Sequence, residues 1–368
     1  MELNVDLLGG GQAQGNVANY FASNGRLDVH GMRPFFDPKT RKSYISVFKG
    51  GDPKDVKNYG VLPLNTNATL RRDEWKKLDE AVMQVGRFRL GGVQDLVSKG
   101  LTYDLGNAMG TTVLEWHDVS DPMEADVTMD GVTRSNGDRP KYQHNYMPLP
   151  IIHVDYEINL RELSASRNMG NPIDTTAAES AARRIVEKIE AMLFTNITYA
   201  FGEKDARGRN SIYSYINHPD RIPMSIAGAH WDDLVSTIGL TILNQVLVAK
   251  SASIAKYHYG PWMLYIPQNF EIVIDKDYDT TTPGTTIRER LMKIEGLQGI
   301  KVIDTLPADN AVLVEMLPST VRLVRGLGIQ NVEWSTEGNF VTKFKVLTIQ
   351  VPQIRSDMNK KCGIVHLA

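Results

Sequence analysis

An α+β fold is what this sequence predicts, and three observations predict it. From Ile152 to Leu160, apolar Ile152, Val154, Tyr156, Ile158 and Leu160 alternate with polar His153, Asp155, Glu157 and Asn159. That is the period of a half-buried strand with one wet face. Behind it, past the breakers Asn168-Met169-Gly170-Asn171-Pro172, comes a long amphipathic helix. Its apolar stripe is Ala178, Ala181, Ala182, Ile185, Ile189, Met192 and Leu193, with Glu179, Arg183, Glu187, Lys188 and Glu190 mostly off it. The third observation is a succession of strand-like runs that closes the chain. These are Ile300 to Leu306, Ala311 to Leu317 and Val321 to Val324, followed by Gln330 to Trp334 pairing with Phe340 to Val351 across Ser335-Thr336-Glu337-Gly338-Asn339.

Each remaining element has its own local reason. Thr176 with Glu179 three residues on has capping-box spacing, which predicts a helix from Thr176 to about Asn196, roughly 30 Å long. Asp73 to Val82 reads as a short helix with Trp75, Leu78 and Val82 on one side. Leu90 to Lys99 contains another short turn or helix, closed by Gly100. Trp231, Leu234, Val235, Ile238, Ile242, Val246 and Ala249 mark one face of a helix whose first turn carries Asp232 and Asp233. Gly260-Pro261 stops it, Trp262 to Ile266 is a short buried strand, and Pro267 to Phe270 restarts a helix. Thr286 and Glu289 form a second capping box, followed by Ile287, Leu291 and Ile294, with Gly296 as terminator.

Two stretches look unfinished. Residues 1–69 are broken by glycines such as Gly9-Gly10-Gly11 and by Pro34, Pro38, Pro53 and Pro63, and only pieces such as Ser43 to Phe48 read as strands. Alone, such a stretch is expected to be loosely ordered, and a neighbouring copy is the simplest thing to pin it. Thr111 to Met147 is rich in strand formers: Val113 to Val119, Ala125 to Val132 and Tyr142 to Met147, with Asn136-Gly137 as a turn signal. A long protruding hairpin is marginal in water unless it lies on something else.

The totals bound the function. A chain of 368 residues with 42% hydrophobic and 23% charged residues has enough apolar surface for a real core. A net charge of −2 provides no global basic field to hold nucleic acid by counterion release, although enclosing nucleic acid needs no grip. The single cysteine, Cys362, excludes an intramolecular disulfide and fits a reducing compartment. Met1-Glu2-Leu3-Asn4 opens without a basic or apolar region, so no secretion signal is expected, and no apolar run approaches the ~20 residues a bilayer span needs. No membrane partner is expected.

This succession resembles the major capsid proteins of tailed bacteriophages, the Hong Kong 97-type fold, and the related encapsulin shells. The resemblance covers roughly residues 70 to 355. It rests on the Trp75 helix, on Leu149-Pro150-Ile151-Ile152 opening the alternating strand, and on the Ala/Glu/Arg helix ending in Met192-Leu193-Phe194. Tyr259-Gly260-Pro261-Trp262-Met263-Leu264-Tyr265-Ile266, the strands to Val324 and the closing hairpin through Gln353 complete it. It implies an N-terminal arm over 1–69, the start of a peripheral domain over 70–109 and an extended loop over 110–148. The peripheral domain with its spine helix then covers 149–204, an axial domain covers 205–327, and 328–368 form the return to the peripheral domain and the C-terminus.

What the resemblance implies about function is a shell of pentamers and hexamers of this chain, enclosing double-stranded phage DNA without reading its sequence. The chain would be assembled in the host cytoplasm and found in the virion. No charged helical extension for a fused scaffold is visible, so a separate scaffolding protein, a portal and possible cement proteins are the implied partners. The arm is longer than encapsulins usually have, which favours a virion protein; an encapsulin-like compartment holding cargo proteins is the alternative. The side chains expected to touch neighbours are Trp116, His117, Val119, Tyr142 and Tyr146 of the extended loop and Phe35 and Phe36 of the arm.

No chemical motif competes. Gly10 and Gly15 have the gap of a phosphate-binding loop, but Asn16-Val17 stand where Lys-Ser/Thr is needed. Asp275, Asp277 and Asp279 begin like a calcium loop, with Thr280 in place of glycine and Thr286 in place of the closing glutamate. Ser253 and Lys256 lack the companion motifs of a Ser-x-x-Lys enzyme. The eight histidines are scattered without metal-ligand spacing, though His117, His144 and His153 could titrate at a contact. No enzyme activity, metal or cofactor is expected.

Overall fold

The computed structural model describes residues 34–40, 42–48, 59–64 and most of 70–368. Within that last span 71–73, 82–90, 107–108, most of 121–140, 165–174, 201–210, 227–230, 233–237, 279–283, 335–340 and a few single positions lie outside what it describes.

The alternating segment is the strand Ile152–Asn159, and the helix behind it runs Thr176–Phe194. The helix begins at Thr176, as expected, but Thr176 is its first residue and not its cap. Thr175 is its N-cap, in helical rather than extended geometry, and its hydroxyl bonds the Glu179 carboxylate at 2.8 Å instead of a backbone N–H. The expected capping box is therefore absent here, whereas that of Thr286 and Glu289 is fully formed on Ile287–Met292.

The alternating strand is one edge of a four-stranded sheet. In order across the sheet run Thr102–Asp104, Val321–Trp334, Val341–Ile354 and Ile152–Asn159. The two central strands are longer than their sequence suggests, because Val321–Val324 continues into the closing hairpin through register shifts around Arg325, Leu327 and Gln330. Gly326 and Gly328 sit at those shifts, where a bulge bends the strand. Period two then divides the sheet's faces. Phe344, Val346 and Ile354 point into the core under the spine helix, with Ile185, Ile189 and Leu193. Ile349 and Val351 point the other way, into a smaller cluster with Leu114, Met147, Leu149 and Ile212.

A second, five-stranded sheet runs Ile222–Met224, Ile364–Leu367, Ala311–Glu315, Trp262–Ile266, Leu297–Val302. Its central strands are buried on both faces. Trp262, Leu264 and Ile266 face the helices Ile238–Ile254, Gln268–Ile274 and Ile287–Met292, while Met263 and Tyr265 join the spine core. The C-terminal strand Ile364–Leu367 lies inside this sheet rather than beside the closing hairpin. Of the helix expected from Trp231, the described part runs Ile238–Ile254, with 233–237 outside the described residues; Trp231 itself is in a turn, fully buried and stacked on Phe270 at 4.8 Å.

The helix Gly91–Ser98 joins the two halves. It ends in a Schellman turn, with Leu101 N–H on Leu96 O at 2.8 Å, Gly100 N–H on Val97 O at 3.1 Å and Gly100 at φ +70°. Its N-terminus meets the spine helix: Glu190 accepts the Gly92 N–H at 2.9 Å, and a Cβ on Gly92 would stand 2.3 Å from the Phe194 ring. Its Asp95 accepts the Tyr265 hydroxyl at 3.1 Å and pairs with Lys301, both on the second sheet. Burial pushes the Glu190 carboxyl up to about 6, against the Gly92 and Val93 N–H groups that favour its charge. A raised carboxyl stabilises the fold below its unfolded pKa, and that contribution is lost as pH rises through 6, an effect on the order of 2 kcal/mol. Burial holds His218 and His366 down to about 4, so they act in the opposite direction over part of this range. The observable is therefore a difference. Between pH 4.5 and 7.5, Glu190→Gln is expected to gain stability relative to wild type, read as the shift in urea midpoint.

Candidate functional site

The extended hairpin pairs Val113–Val119 with Tyr142–Pro148, and Ser120 N–H on Lys141 O adds one more rung at 2.9 Å. Its two ends differ. At the root, Leu114 and Met147 stand opposite each other and are buried on the four-stranded sheet, with Trp116 half-buried beside them. Farther out, Val119 and Tyr142 stand opposite each other at 49% and 67% exposure. Between them His117 faces His144 with ring centroids 4.9 Å apart; His144 lies 3.7 Å from the Glu115 carboxylate and 6.1 Å from the Tyr146 ring. The expected outer arm, Ala125 to Val132, and the Asn136-Gly137 turn fall largely outside the described residues; Val127 and Met129 are fully exposed.

The inward face of the hairpin is clamped beyond the root, as far out as Asp118, by groups that sequence reasoning missed. Asp118 accepts from Asn145 across the ladder and faces Arg355 at 3.6 Å. Burial raises the Asp118 carboxyl, and Arg355 only partly offsets it. Leu114 and Met147 were findable from strand parity; the Arg355 partner, 237 residues on, left no local signal. Between the root and the C-terminal segment opens a cleft of about 430 Å³ lined by Trp116, Asn145, Tyr213, His218 and Asp357, among others. Its carboxylates are engaged: Asp220 accepts the Ser356 hydroxyl at 2.7 Å, and Asp357 accepts the Lys361 N–H at 2.6 Å.

In the arm, Pro34–Asp37, Lys42–Phe48 and Tyr59–Leu64 form a three-stranded antiparallel sheet. Its first turn is closed by Asp37, which accepts from the Lys39 N–H and the Thr40 hydroxyl, both at 3.0 Å. Phe35 is half-buried, 5.9 Å from the Tyr44 ring, and packs against the chain's own main core. This part of the arm thus has an anchor within the same molecule. The Phe36 side chain lies outside the described residues.

The chemical candidates resolve into packing. Ser253 is buried, receiving the Trp262 indole N–H at 3.1 Å and donating to His258 O at 3.3 Å. Asp275 pairs with Arg288 at 2.7 Å, and Asp277 forms a bridge with Thr286. Glu315 is buried under His258, the Thr320 hydroxyl at 2.7 Å and the Gly260 N–H at 3.0 Å; burial raises its pKa, but these donors outweigh it and hold the carboxyl low. The Cys362 thiol is pushed up to about 12 by burial, so it carries no thiolate. Among the described residues no group of three metal-ligating side chains occurs, and no helix is long and apolar enough to cross a membrane. The Gly10 and Gly15 loop lies outside the described residues.

A two-sheet body with a spine helix and a protruding hairpin is the fold of Hong Kong 97-type shell proteins. The chain superposes on the virus-like particle protein of Pyrococcus furiosus with a TM-score of 0.55 at 18% identity, covering 80% of this chain and 99% of that one. It superposes on the capsid of Myoviridae phage XM1 with a TM-score of 0.57 at 11% identity, covering 75% and 91%. A native GTA particle capsid gives 0.52 at 14% identity, covering 76% and 91%. In sequence, 126 residues are 29% identical to the type 1 encapsulin shell protein EncA of Myxococcus xanthus, 34% of this chain and 42% of that relative's length. Residues 65–367 match DUF6260, a family of unknown function, and the chain belongs to that family.

Proposed function

We propose that this chain is the major capsid protein of a tailed double-stranded DNA phage, assembling in the host cytoplasm into an icosahedral shell that encloses the genome. The carrying observation is the hairpin: rooted on the four-stranded sheet through Leu114 and Met147, it holds exposed Val119 and Tyr142 outward, where the chain's own body leaves them uncovered. A two-stranded ribbon of this kind is stable when it lies on a neighbour. In this reading 1–69 is the N-terminal arm, 110–148 the extended loop, 70–109 with 149–204 and 328–368 the peripheral domain, and 205–327 the axial domain, to which strand Ile364–Leu367 also contributes. Trp116, His117, Val119, Tyr142, Tyr146, Phe35 and Phe36 lie at or beside contacts between copies. A separate scaffolding protein, a portal and cement proteins are the partners this assembly calls for.

The relationship to an encapsulin shell protein over 126 residues favours a second reading, a compartment that holds cargo protein. Expression of the full chain, sedimentation and electron microscopy test both at once. Closed particles are expected. Nuclease-protected DNA in particles made during phage growth supports the capsid reading, and co-purifying cargo enzyme supports the compartment. A chain that stays monomeric at high concentration sinks both.

A further inference from the structure

The helix Ile238–Ile254 carries apolar side chains on both its inner and its outer side. Ile242, Val246 and Ala249 are buried against the second sheet, yet Leu240, Leu247, Val248 and Ile254 are 51%, 42%, 55% and 38% exposed on the opposite side. Between them lie only uncharged residues such as Asn244 and Ser251. The helix's single charged side chain, Lys250, turns away from this stripe, with its ammonium on Glu295 O at 2.6 Å and 5.2 Å from the Trp262 ring centre. A surface helix ordinarily turns a polar face to water, whereas the outer side of this one leaves four large apolar side chains uncovered.

We propose that a second copy of this chain covers the stripe in the assembled particle, resting on the shell reading above. The absence of charge disfavours nucleic acid and anionic lipid surfaces, which are held through cations. Size favours a copy over a free-standing partner. From Leu240 to Ile254 the stripe is roughly 21 Å long, and its four exposed apolar side chains present on the order of 300 Å², less than half of the ~800 Å² each partner needs in a stable pair. Alone it would hold nothing for long. It is useful as one contact among several between copies already joined elsewhere, as the extended hairpin joins them here.

The test uses the full chain carrying Val248→Cys, labelled with a polar maleimide. Cys362 is fully buried and is the internal control for intact folding. In dissociated subunits position 248 is expected to label rapidly. In empty particles assembled from the purified chain alone it is expected to be protected at least tenfold in rate. Equal labelling in both forms overturns the proposal while leaving the shell reading intact; an unsubstituted chain that stays monomeric at high concentration overturns the shell reading instead. As a second arm, Leu247→Asp is expected to keep the wild-type melting profile as a subunit and to lose assembly, whereas Lys256→Glu in the exposed turn just after the helix retains it. Wild-type assembly by Leu247→Asp also counts against the proposal.

Discussion

Phe344→Ala is expected to cost the unassembled chain about 3–5 kcal/mol, read as a fall in urea midpoint at unchanged slope. Phe344 is fully buried, stacked on Tyr156 at 5.2 Å and 18°, and edge-on to Trp75 at 6.0 Å and 74°. Those rings come from three segments far apart in sequence: the helical turn near residue 75, the alternating strand and the closing hairpin. Truncation therefore leaves a cavity where the edge strand, the hairpin and the spine core meet. It also removes two ring pairs, each contributing about 0.5–1.5 kcal/mol beyond buried area. The neighbouring Lys343 is exposed on the other face, and Lys343→Ala is expected to stay within about 0.5 kcal/mol. A Phe344→Ala loss below about 1 kcal/mol would mean that the sheet does not stand over the spine helix as described.

What was legible in the sequence is what is local. The strand Ile152–Asn159 shows its alternation in burial, with Val154, Tyr156 and Ile158 packed on the core and His153, Asp155 and Glu157 outward or at its margin. The spine stripe is buried almost residue for residue, from Ala178 to Leu193. What failed depended on distant partners. Trp231 reads as the start of a helix because it is apolar at the right spacing, but its place is set by Phe270, 39 residues on. Ile364–Leu367 is too short to declare a sheet, and its burial comes from strands at 222 and 311. The three-stranded sheet of the arm has no clean period in its sequence; its described supports are the ladder itself, the Asp37 turn and the contact of Phe35 with the main core. Along the hairpin, strand parity divides an inward face with Leu114, Trp116 and Met147 from an outward face with His117, Val119, Tyr142 and Tyr146. The helix Ile238–Ile254 was legible in its buried face, since Ile242, Val246 and Ala249, which its spacing marks, are the covered residues; that Leu240, Leu247 and Val248 stay exposed opposite them depends on what packs there, which spacing does not encode.

Tyr142→Ala is expected to leave the subunit almost as stable as before while raising the concentration needed for assembly at least about thirtyfold. The first half follows from exposure: a side chain 67% open to water, opposite an exposed Val119, contributes little to the fold of a single chain. The second half follows from what an aromatic anchor does when a neighbour covers it. Truncating such a residue typically costs 2 kcal/mol or more per contact, and about 1.4 kcal/mol is a factor of ten in an equilibrium constant. In a closed shell each copy both gives and receives this contact, so the loss is felt at every junction. Trp116→Ala is a poorer probe, because Trp116 is half-buried against the root cluster and its removal mixes folding with assembly. Light scattering over a concentration series, with thermal melts of the unassembled subunit, separates the two terms for Tyr142. If Tyr142→Ala assembles at the wild-type concentration, the hairpin is not where copies hold one another, and the contact must be sought on the arm or on the helix Ile238–Ile254.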